Sequence, residues 1–226
     1  MRINKLLSNY GYCSRKETNR LIEDNRVIVN GKLCTSGQWV EETDEILLDH
    51  QPVKMNEKIY LAFNKPVGIT CTLERTVPDN IIDSIGLDRY VFPVGRLDKA
   101  SEGLILLTND GDLANKILES DNDHEKEYLV TVDKPFDEAF LLGMSEGVEI
   151  CGILTRQCKI TKISEMTFKI ILTQGLNRQI RRMTKVFGYT VLKLQRIRIL
   201  NIPLDGIELG TWRNLTPSEL IYLRLL

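Results

Sequence analysis

Apolar residues follow a helical period at the start of the chain and a strand-like one soon after. In "RINKLLSNY", Ile3, Leu6, Leu7 and Tyr10 stand at i, i+3, i+4 and i+7, which predicts an amphipathic helix. Ser14, with Glu17 three residues on in "SRKE", has capping-box spacing and predicts the start of a second helix. "RVIVNGKLC" reads as two short strands joined at Asn30-Gly31, a strong hairpin signal, and "DEILLD" as a further strand. Two helices and a hairpin can bury only a small core. Residues 1–48 are therefore expected to form an appended binding module, with the polar, proline-containing "DHQPVKMNE" (49–57) as linker.

Residues 58–226 carry the pattern of a larger α+β body. "IYLAFNKPVGITCT" predicts a strand, a turn at Lys65-Pro66 and a second extended run; "EYLVTV" and "TFKIILTQG" are strands by their apolar and β-branched content. "GDLANKILES" and "NRQIRRMTKVFG" predict helices, the second closing at Gly188. One segment interrupts the order. In "PVGRLDKASEGLILLTND" (93–110), Arg96, Asp98, Lys99 and Glu102 separate the apolar runs "RYVFPVG" and "LILLTN". A solvated turn would account for them, and so would a carboxylate held at the mouth of a cleft.

Charge narrows the possible partners. Of 226 residues 42% are hydrophobic, enough for a proper core, and the length suits one main domain with an accessory module. The 30 Lys and Arg nearly balance 31 Asp and Glu, for a net charge of −1, but the signs are segregated. Residues 1–35 carry seven basic and three acidic side chains, and residues 169–200 carry eight basic and none acidic. Such stripes fit a polyanionic partner, although a solvated face is the commoner cause of a charged run. Over 178–187, Arg178, Arg181, Arg182 and Lys185 fall on one helical face and Ile180, Met183, Val186 and Phe187 on the other. With roughly 0.9 counterions released per duplex phosphate neutralised, two such surfaces would make binding strongly salt-dependent.

The five cysteines, at 13, 34, 71, 151 and 158, are odd in number and form no C-x-x-C pair, which fits reduced thiols in the cytoplasm. His50 and His124 are the only histidines, too little for a His-rich metal centre or a Ser–His–Asp triad. No G-x-G-x-x-G or P-loop appears, so a nucleotide cofactor has no obvious seat. The N-terminus lacks a signal-peptide core, and nothing approaches the ~20 apolar residues of a membrane span.

Arg15, Lys16, Arg20 and Lys32 cluster where the second helix begins and where the hairpin turns, so they are expected to share one surface. Their segment, "KLLSNYGYCSRKETNRLIEDNRVIVNGK", resembles the alpha-L RNA-binding module of a ribosomal small-subunit protein and several RNA-modifying enzymes. A helical dimerisation arm is the plainer alternative. "VGRLDKASEGLILLTNDG" is similar to the signature segment of pseudouridine synthases, in the branch that modifies ribosomal RNA. The resemblance runs on through "AFNKPVG", "EKEYLV", "GLNRQIRRM" and "LQRIRIL", covering residues 60–215. With the first module it points to the RsuA/RluF type, and "DNDHEKEYLVTV" and "GLNRQIRRM" resemble the RluF branch, which acts on large-subunit rRNA.

The resemblance implies a mixed, mainly antiparallel sheet with flanking helices, and a redox-neutral reaction needing no cofactor. Uracil is detached from its ribose, turned, and rejoined through carbon five. Asp98 matches the essential aspartate, Arg181 the residue paired with it, and Tyr128 the tyrosine that lies against the target base. An ionised carboxylate in a pocket for a flat neutral base needs a nearby cation, because burial alone raises its pKa. Stacking on Tyr128 would offset base extrusion, which costs about a few kcal/mol. Arg96, Asn177, Gln179, Arg182, Lys185 and Arg196 are expected to bind substrate, with Arg196 and Arg198 on phosphates unless they are strand-surface charges. Lys65 and Pro66 are expected to shape the cleft floor, and Lys99 and Glu102 to form the solvated side of the loop.

Two rivals remain. A glycoside hydrolase using Asp98 and Glu102 would need carboxyl groups ~5 Å apart and would have no use for basic ridges. A non-catalytic RNA-binding assembly factor would have no reason to hold Asp98, Tyr128 and Arg181 together. The expected partner is large-subunit rRNA, with small-subunit rRNA or a tRNA anticodon stem-loop as alternatives; a monomer without membrane contact is the default.

Overall fold

The computed structural model describes residues 1–119 and 123–226. Helices α1 (Ile3–Asn9) and α2 (Arg15–Glu23) form as the apolar stripe dictates, with Ile3, Leu6 and Leu7 fully buried. The Ser14 hydroxyl accepts from the Glu17 amide at 3.1 Å, so the expected cap is made. Strands β1 (Val27–Val29) and β2 (Lys32–Leu33) are joined by Asn30 (φ 50°) and Gly31 (φ 74°), the two positive φ angles of a tight hairpin turn. Strand β3 (Ile46–Leu48) pairs with β1, and β4 (Gln51–Pro52) completes a small sheet in the order β2-β1-β3-β4.

The stretch expected to be a free linker is thus partly strand, because the open edge of β3 gives the main chain at 51–53 its hydrogen bonds. The remainder is strapped to α1's C-terminus. Asn56 Nδ2 donates to the Gly11 carbonyl at 3.2 Å and Lys58 Nζ to the Asn9 carbonyl at 2.6 Å.

The body contains β5 (Tyr60–Lys65), α3 (Ile81–Ile85), β6 (Phe92–Val94), β7 (Glu102–Thr108) and α4 (Gly111–Leu118). It continues through β8 (Lys126–Val132), α5 (Glu138–Ser145), the hairpin β9 (Glu149–Ile150) and β10 (Ile153–Leu154), β11 (Lys159–Lys162), β12 (Thr167–Leu172) and α6 (Gln179–Val186). Strands β13 (Val191–Ile199), β14 (Ile202–Pro203) and β15 (Trp212–Asn214) and helix α7 (Pro217–Arg224) complete it. The helix expected over 111–120 ends at Leu118, and Ser120, Asp121 and Asn122 lie outside the described residues.

The main sheet runs β11-β12-β8-β13-β7-β5-β15, with β14 on β13 and β6 on β7. Every pairing is antiparallel except β7 with β13, where two residue pairs, Gln195 with Glu102 and Arg196 with Gly103, join the two halves. The apolar run of β7 is continuous because both its faces are covered. Leu104 and Leu106 enter the core under α4 and α7; Ile105 and Leu107 enter the core under α3. A third core fills the other half between β8, β12, α5 and α6, and Tyr128 packs against both it and the α3 core. The junction where Tyr128 sits is where the site is built.

Candidate active site and flanking clefts

Direct cross-strand partners share a sheet face, and the registers place five residues in one row. Lys65 faces Gly103, Gly103 faces Arg196, Arg196 faces Tyr128, and Tyr128 faces Ile170. Gly103 has φ +103°, and a Cβ there would stand 2.3 Å from the Arg196 carbonyl oxygen, so only glycine lets β7 and β13 meet. The row runs from a buried ammonium, across bare backbone, to a buried guanidinium and then the ring of Tyr128.

Half-buried Asp98 lies in the turn that leads into β7. The turn is held from several sides. Ser101 N donates to the Asp98 carbonyl at 3.0 Å, and Gly68 N, in "KPVG", donates to the Lys99 carbonyl at 2.8 Å. Leu97 N donates to Cys71 Sγ at 3.4 Å. From α6, Arg181 donates to the Ala100 carbonyl at 2.8 Å, to Ser101 Oγ at 3.3 Å and to the Val191 carbonyl at 3.1 Å.

Asp98 and Arg181 therefore come together, though as neighbours: the ion pairs among the described residues include none between them. Arg181's terminal nitrogens are spent on the Ala100 carbonyl and Ser101 hydroxyl of the turn and on the Val191 carbonyl of β13, while its Nε is buried without a partner. Burial pulls its guanidinium down from the ordinary arginine value and Arg178 adds to that, while the negative charge of Asp98 opposes both. Lys65 is fully buried, and its ammonium donates to the Pro66 carbonyl at 2.8 Å and the Ile69 carbonyl at 2.9 Å, so it shapes its own loop as expected. Burial pushes this ammonium below the usual lysine range; Cys71 and Asp98 oppose the shift, and Arg196 adds to it.

The rest of the expected substrate set divides. Arg96 is exposed and lines a cleft of about 450 Å³ with Arg15 of α2, Tyr90 and Cys71. Lys185 is exposed on α6. Asn177 and Arg182 are bonded to each other at 3.0 Å, and Arg182 also touches Cys151 in the β9–β10 turn. Gln179 is buried, receiving Leu176 N at 3.0 Å, so its side chain closes the turn before α6. Arg178 is the N-cap in left-handed geometry, so the helix starts one residue later than the ridge implied. Val186 is 59% exposed because it lies one turn beyond Arg182, on the basic side.

Two arginines expected on phosphates are committed elsewhere. Arg196 is buried and donates through Nε to the Leu104 carbonyl at 2.6 Å. Arg198 pairs with Glu127 at 2.8 Å and Glu125 at 2.9 Å, the strand-charge alternative. Glu102 is not on the solvated side of the loop either: its side chain, 14% exposed, pairs with Lys193 at 3.0 Å. Lys99 is exposed as expected and pairs with Asp79 at 3.6 Å. Sequence reasoning missed Ser101, Cys71 and Gly103. Gly103 alone left a signal, a glycine opening a buried apolar strand.

Arg15, Lys16 and Arg20 are all exposed, and a second groove of about 670 Å³ is lined by charges of both signs: Lys16, Glu17 and Arg20 on the module side, Glu74, Arg75, Asp88 and Arg89 on the body side. Lys32 is exposed on the hairpin and lines neither groove. The two modules meet at Tyr90, whose hydroxyl bonds to Ser8; burial pushes the phenol up to about 12. Arg15 and Arg96, one from each module, thus line the same cleft, and Cys71, which accepts from the Leu97 amide beside Asp98, lines it too.

A domain with a cationic approach, an aromatic at its centre and a braced carboxylate, behind a small helix-hairpin module, matches known proteins closely. The RNA pseudouridylate synthase model matches residues 59–185 and the S4 domain model residues 1–46. The Escherichia coli (strain K12) protein named dual-specificity RNA pseudouridine synthase RluF is 53% identical over 98% of this chain and 77% of its own length. The Bacillus subtilis (strain 168) ribosomal large subunit pseudouridine synthase B is 32% identical over 100% of this chain and 96% of its own. A crystal structure of a pseudouridylate synthase superposes with a TM-score of 0.72, at 28% identity, over 99% of both chains. The chain belongs to the RNA pseudouridylate synthase family, with an S4 domain ahead of the catalytic one. Among the described residues no helix is long and apolar enough to cross a membrane.

Proposed function

We propose that this enzyme converts a specific uridine of large-subunit ribosomal RNA to pseudouridine, acting as a cytoplasmic monomer. In this reading residues 1–48 bind RNA, 49–57 connect, and 58–226 carry out the isomerisation. Asp98 is the essential carboxylate, Tyr128 the face on which the extruded uracil stacks, and Arg181 the brace of the Asp98 turn. Arg96, with Arg15 across the cleft, takes the backbone near the target, and Lys185 and Arg182 extend that surface along α6.

The observation that carries the reading is the juxtaposition itself. A carboxylate sits on a turn held by Arg181, in a domain whose central sheet row carries the ring of Tyr128, with cations of both modules lining one cleft. The names of the Escherichia coli and Bacillus subtilis relatives support RNA as the substrate class, and the second supports the large subunit. "Dual-specificity" in the first name favours a second RNA substrate, and a tRNA anticodon stem-loop is our choice for it.

Pseudouridine mapping of total RNA from cells with and without the gene tests this. Loss of a large-subunit signal is the expected result. Loss confined to tRNA or small-subunit rRNA overturns the substrate, and no loss at all favours a non-catalytic assembly factor.

A further inference from the structure

The cleft shared by the two modules is lined by apolar surface and by charge of one sign. Its apolar lining is Leu73, Tyr90, Phe92 and Leu118, with the two rings 6.0 Å apart between centroids and tilted by 46°. Its charged lining is Arg15 and Arg96 alone. The neighbouring groove differs, because there Glu17, Glu74 and Asp88 stand among the cations. Arg15 and Arg96 are exposed, and among the described residues neither makes an ion pair or a side-chain hydrogen bond. Phe92 is half-buried and Leu118 is 46% exposed, which leaves apolar surface in water that an occupant would cover.

The cleft is also fixed in shape. The Tyr90 hydroxyl bonds to Ser8 of α1, so the ring is tied to the module. Gly95, at φ +77°, carries no side chain where a Cβ would meet Leu118 Cδ2 at 3.1 Å. The volume of about 450 Å³ lies within the range of small-ligand pockets, about 300–1,000 Å³.

Chemistry narrows what can sit there. Two guanidiniums without partners favour an anion, and aromatic rings beside aliphatic side chains favour a flat, weakly polar group. A nucleotide joins both in one unit. Asn115 of α4, exposed in the same lining and without a side-chain hydrogen bond among the described residues, offers an amide to the edge of a base. Position narrows it further. Arg96 stands two residues before Asp98, and Cys71, also in the lining, accepts the Leu97 amide at 3.4 Å. An RNA strand in this cleft runs next to the turn that carries the carboxylate.

We propose that the cleft between the modules is a second nucleotide subsite. It takes one unpaired nucleotide within two positions of the target uridine, with its base against Phe92 and Leu118 and its phosphate at Arg15 and Arg96. The inference rests on the proposed function and deepens it. Asp98 and Tyr128 can receive any extruded uridine, and the cleft selects among uridines by requiring a splayed neighbour at a fixed separation. Extruding a second base is costly unless it is already unpaired, so the subsite favours loops and bulges over uniform duplex.

The test is a cycle between one protein substitution and RNAs lacking single bases. Leu118→Glu sets a carboxylate in the cleft wall at the exposed end of α4 and leaves every residue assigned to the chemistry in place. Affinity is measured for wild type and variant on the large-subunit rRNA fragment that mapping identifies. The fragment is used intact and made abasic at each of the two positions on either side of the target uridine. Leu118→Glu should weaken binding to intact RNA by at least about tenfold. At one position the missing base should cost wild type about tenfold and the variant less than about twofold, while at the others the two losses should add. Losses that add at every position, or an unchanged affinity, overturn the proposal. If Leu118→Glu does not fold, Cys71 of the wild type decides. Its labelling by iodoacetamide, read by peptide mass spectrometry, should slow several-fold when intact RNA is bound and recover with the abasic RNA that binds most weakly. Labelling that RNA does not slow refutes the subsite. A wild-type enzyme that converts no uridine in any RNA refutes the functional reading, while protection of Cys71 by the RNA it binds most tightly still decides on the cleft.

Discussion

Arg181 holds the Ala100 carbonyl at 2.8 Å, two residues past Asp98, and among the described residues makes no ion pair with the Asp98 carboxylate. The distinction matters for how the site works. An arginine bonded directly to the carboxylate would occupy the oxygens that must act on the nucleotide. One bonded to the main chain of the turn fixes where the carboxylate stands and leaves those oxygens open. Helix α6 can do this because Ile180 and Met183 anchor it in the core below, so its cation is delivered from a rigid element.

Asp98→Asn separates charge from shape. The turn's own hydrogen bond uses the Asp98 carbonyl, which the substitution keeps. Thermal unfolding and RNA affinity should match wild type, while pseudouridine formation falls by at least about three orders of magnitude, roughly 4 kcal/mol. Single-turnover rates on the rRNA substrate read this directly, and a variant within tenfold of wild type would remove Asp98 from the chemistry.

Arg181→Lys keeps a positive charge and loses the fork that spans three acceptors. The variant should unfold more easily by about 1–2 kcal/mol, since one ammonium cannot satisfy the Ala100, Ser101 and Val191 oxygens together. The rate should fall about 10- to 100-fold as the Asp98 turn loosens, with little change in RNA affinity. Full activity with lowered stability would confine Arg181 to folding.

Local signals in the sequence carried the elements of the module; long-range pairing, on which the site's arrangement depends, left none. The stripe of α1, the Ser14 cap and the Asn30-Gly31 turn are each determined within a few residues, and each formed as expected. The union of β7 with β13 rests on two residue pairs 93 positions apart, and no periodicity announces it. That hidden pairing is also why Arg196 looked like a phosphate ligand. A strand arginine is exposed by default, and only the parallel register places this one under Gly103. Glu102 and Gln179 failed in the same way: their partners, Lys193 and the turn at Leu176, follow from tertiary geometry.

Gly103→Ala probes that register. The new Cβ would meet the Arg196 carbonyl oxygen at 2.3 Å in backbone that cannot move without parting the two halves of the sheet, and φ +103° adds strain. A loss of more than about 3 kcal/mol is expected, with activity lost alongside. Urea unfolding of the variant checks it, and stability within about 1 kcal/mol of wild type would mean the halves join less tightly than the register states.

Glu219 makes the stability of the C-terminal helix depend on pH. Arg213 grips its carboxylate at 2.7 and 2.8 Å, and the Thr216 amide donates to it at 2.7 Å, closing a capping box. The Arg213 guanidinium, first among the causes, holds this carboxyl below the ordinary value of 4.5. A depressed folded value means the stabilisation is present above 4.5 and disappears as pH falls through the lowered midpoint. Glu219→Gln should cost about 1–2 kcal/mol at neutral pH. The gap from wild type should close in acid, and a gap constant down to the lowest pH at which the protein folds would contradict the linkage.

Salt dependence tells which cations meet RNA. Arg15, Lys16 and Arg20 line the two clefts beside the module boundary, whereas Lys32 sits apart on its hairpin. Deleting the module would be a poor test, because Lys58, Asn56 and Tyr90 would lose their partners in it. Neutralising the three α2 cations to Ala leaves those bonds intact. Each duplex phosphate that is no longer neutralised lowers the slope of log affinity against log salt by about 0.9, so the triple variant should give up about 2–3 of the slope. Rate at saturating RNA should hold within about twofold, since these side chains bind and do not react. Lys32→Ala should leave the slope in place. If Lys32 proves the stronger contributor, the RNA crosses the outer face of the hairpin and reaches Asp98 by another route.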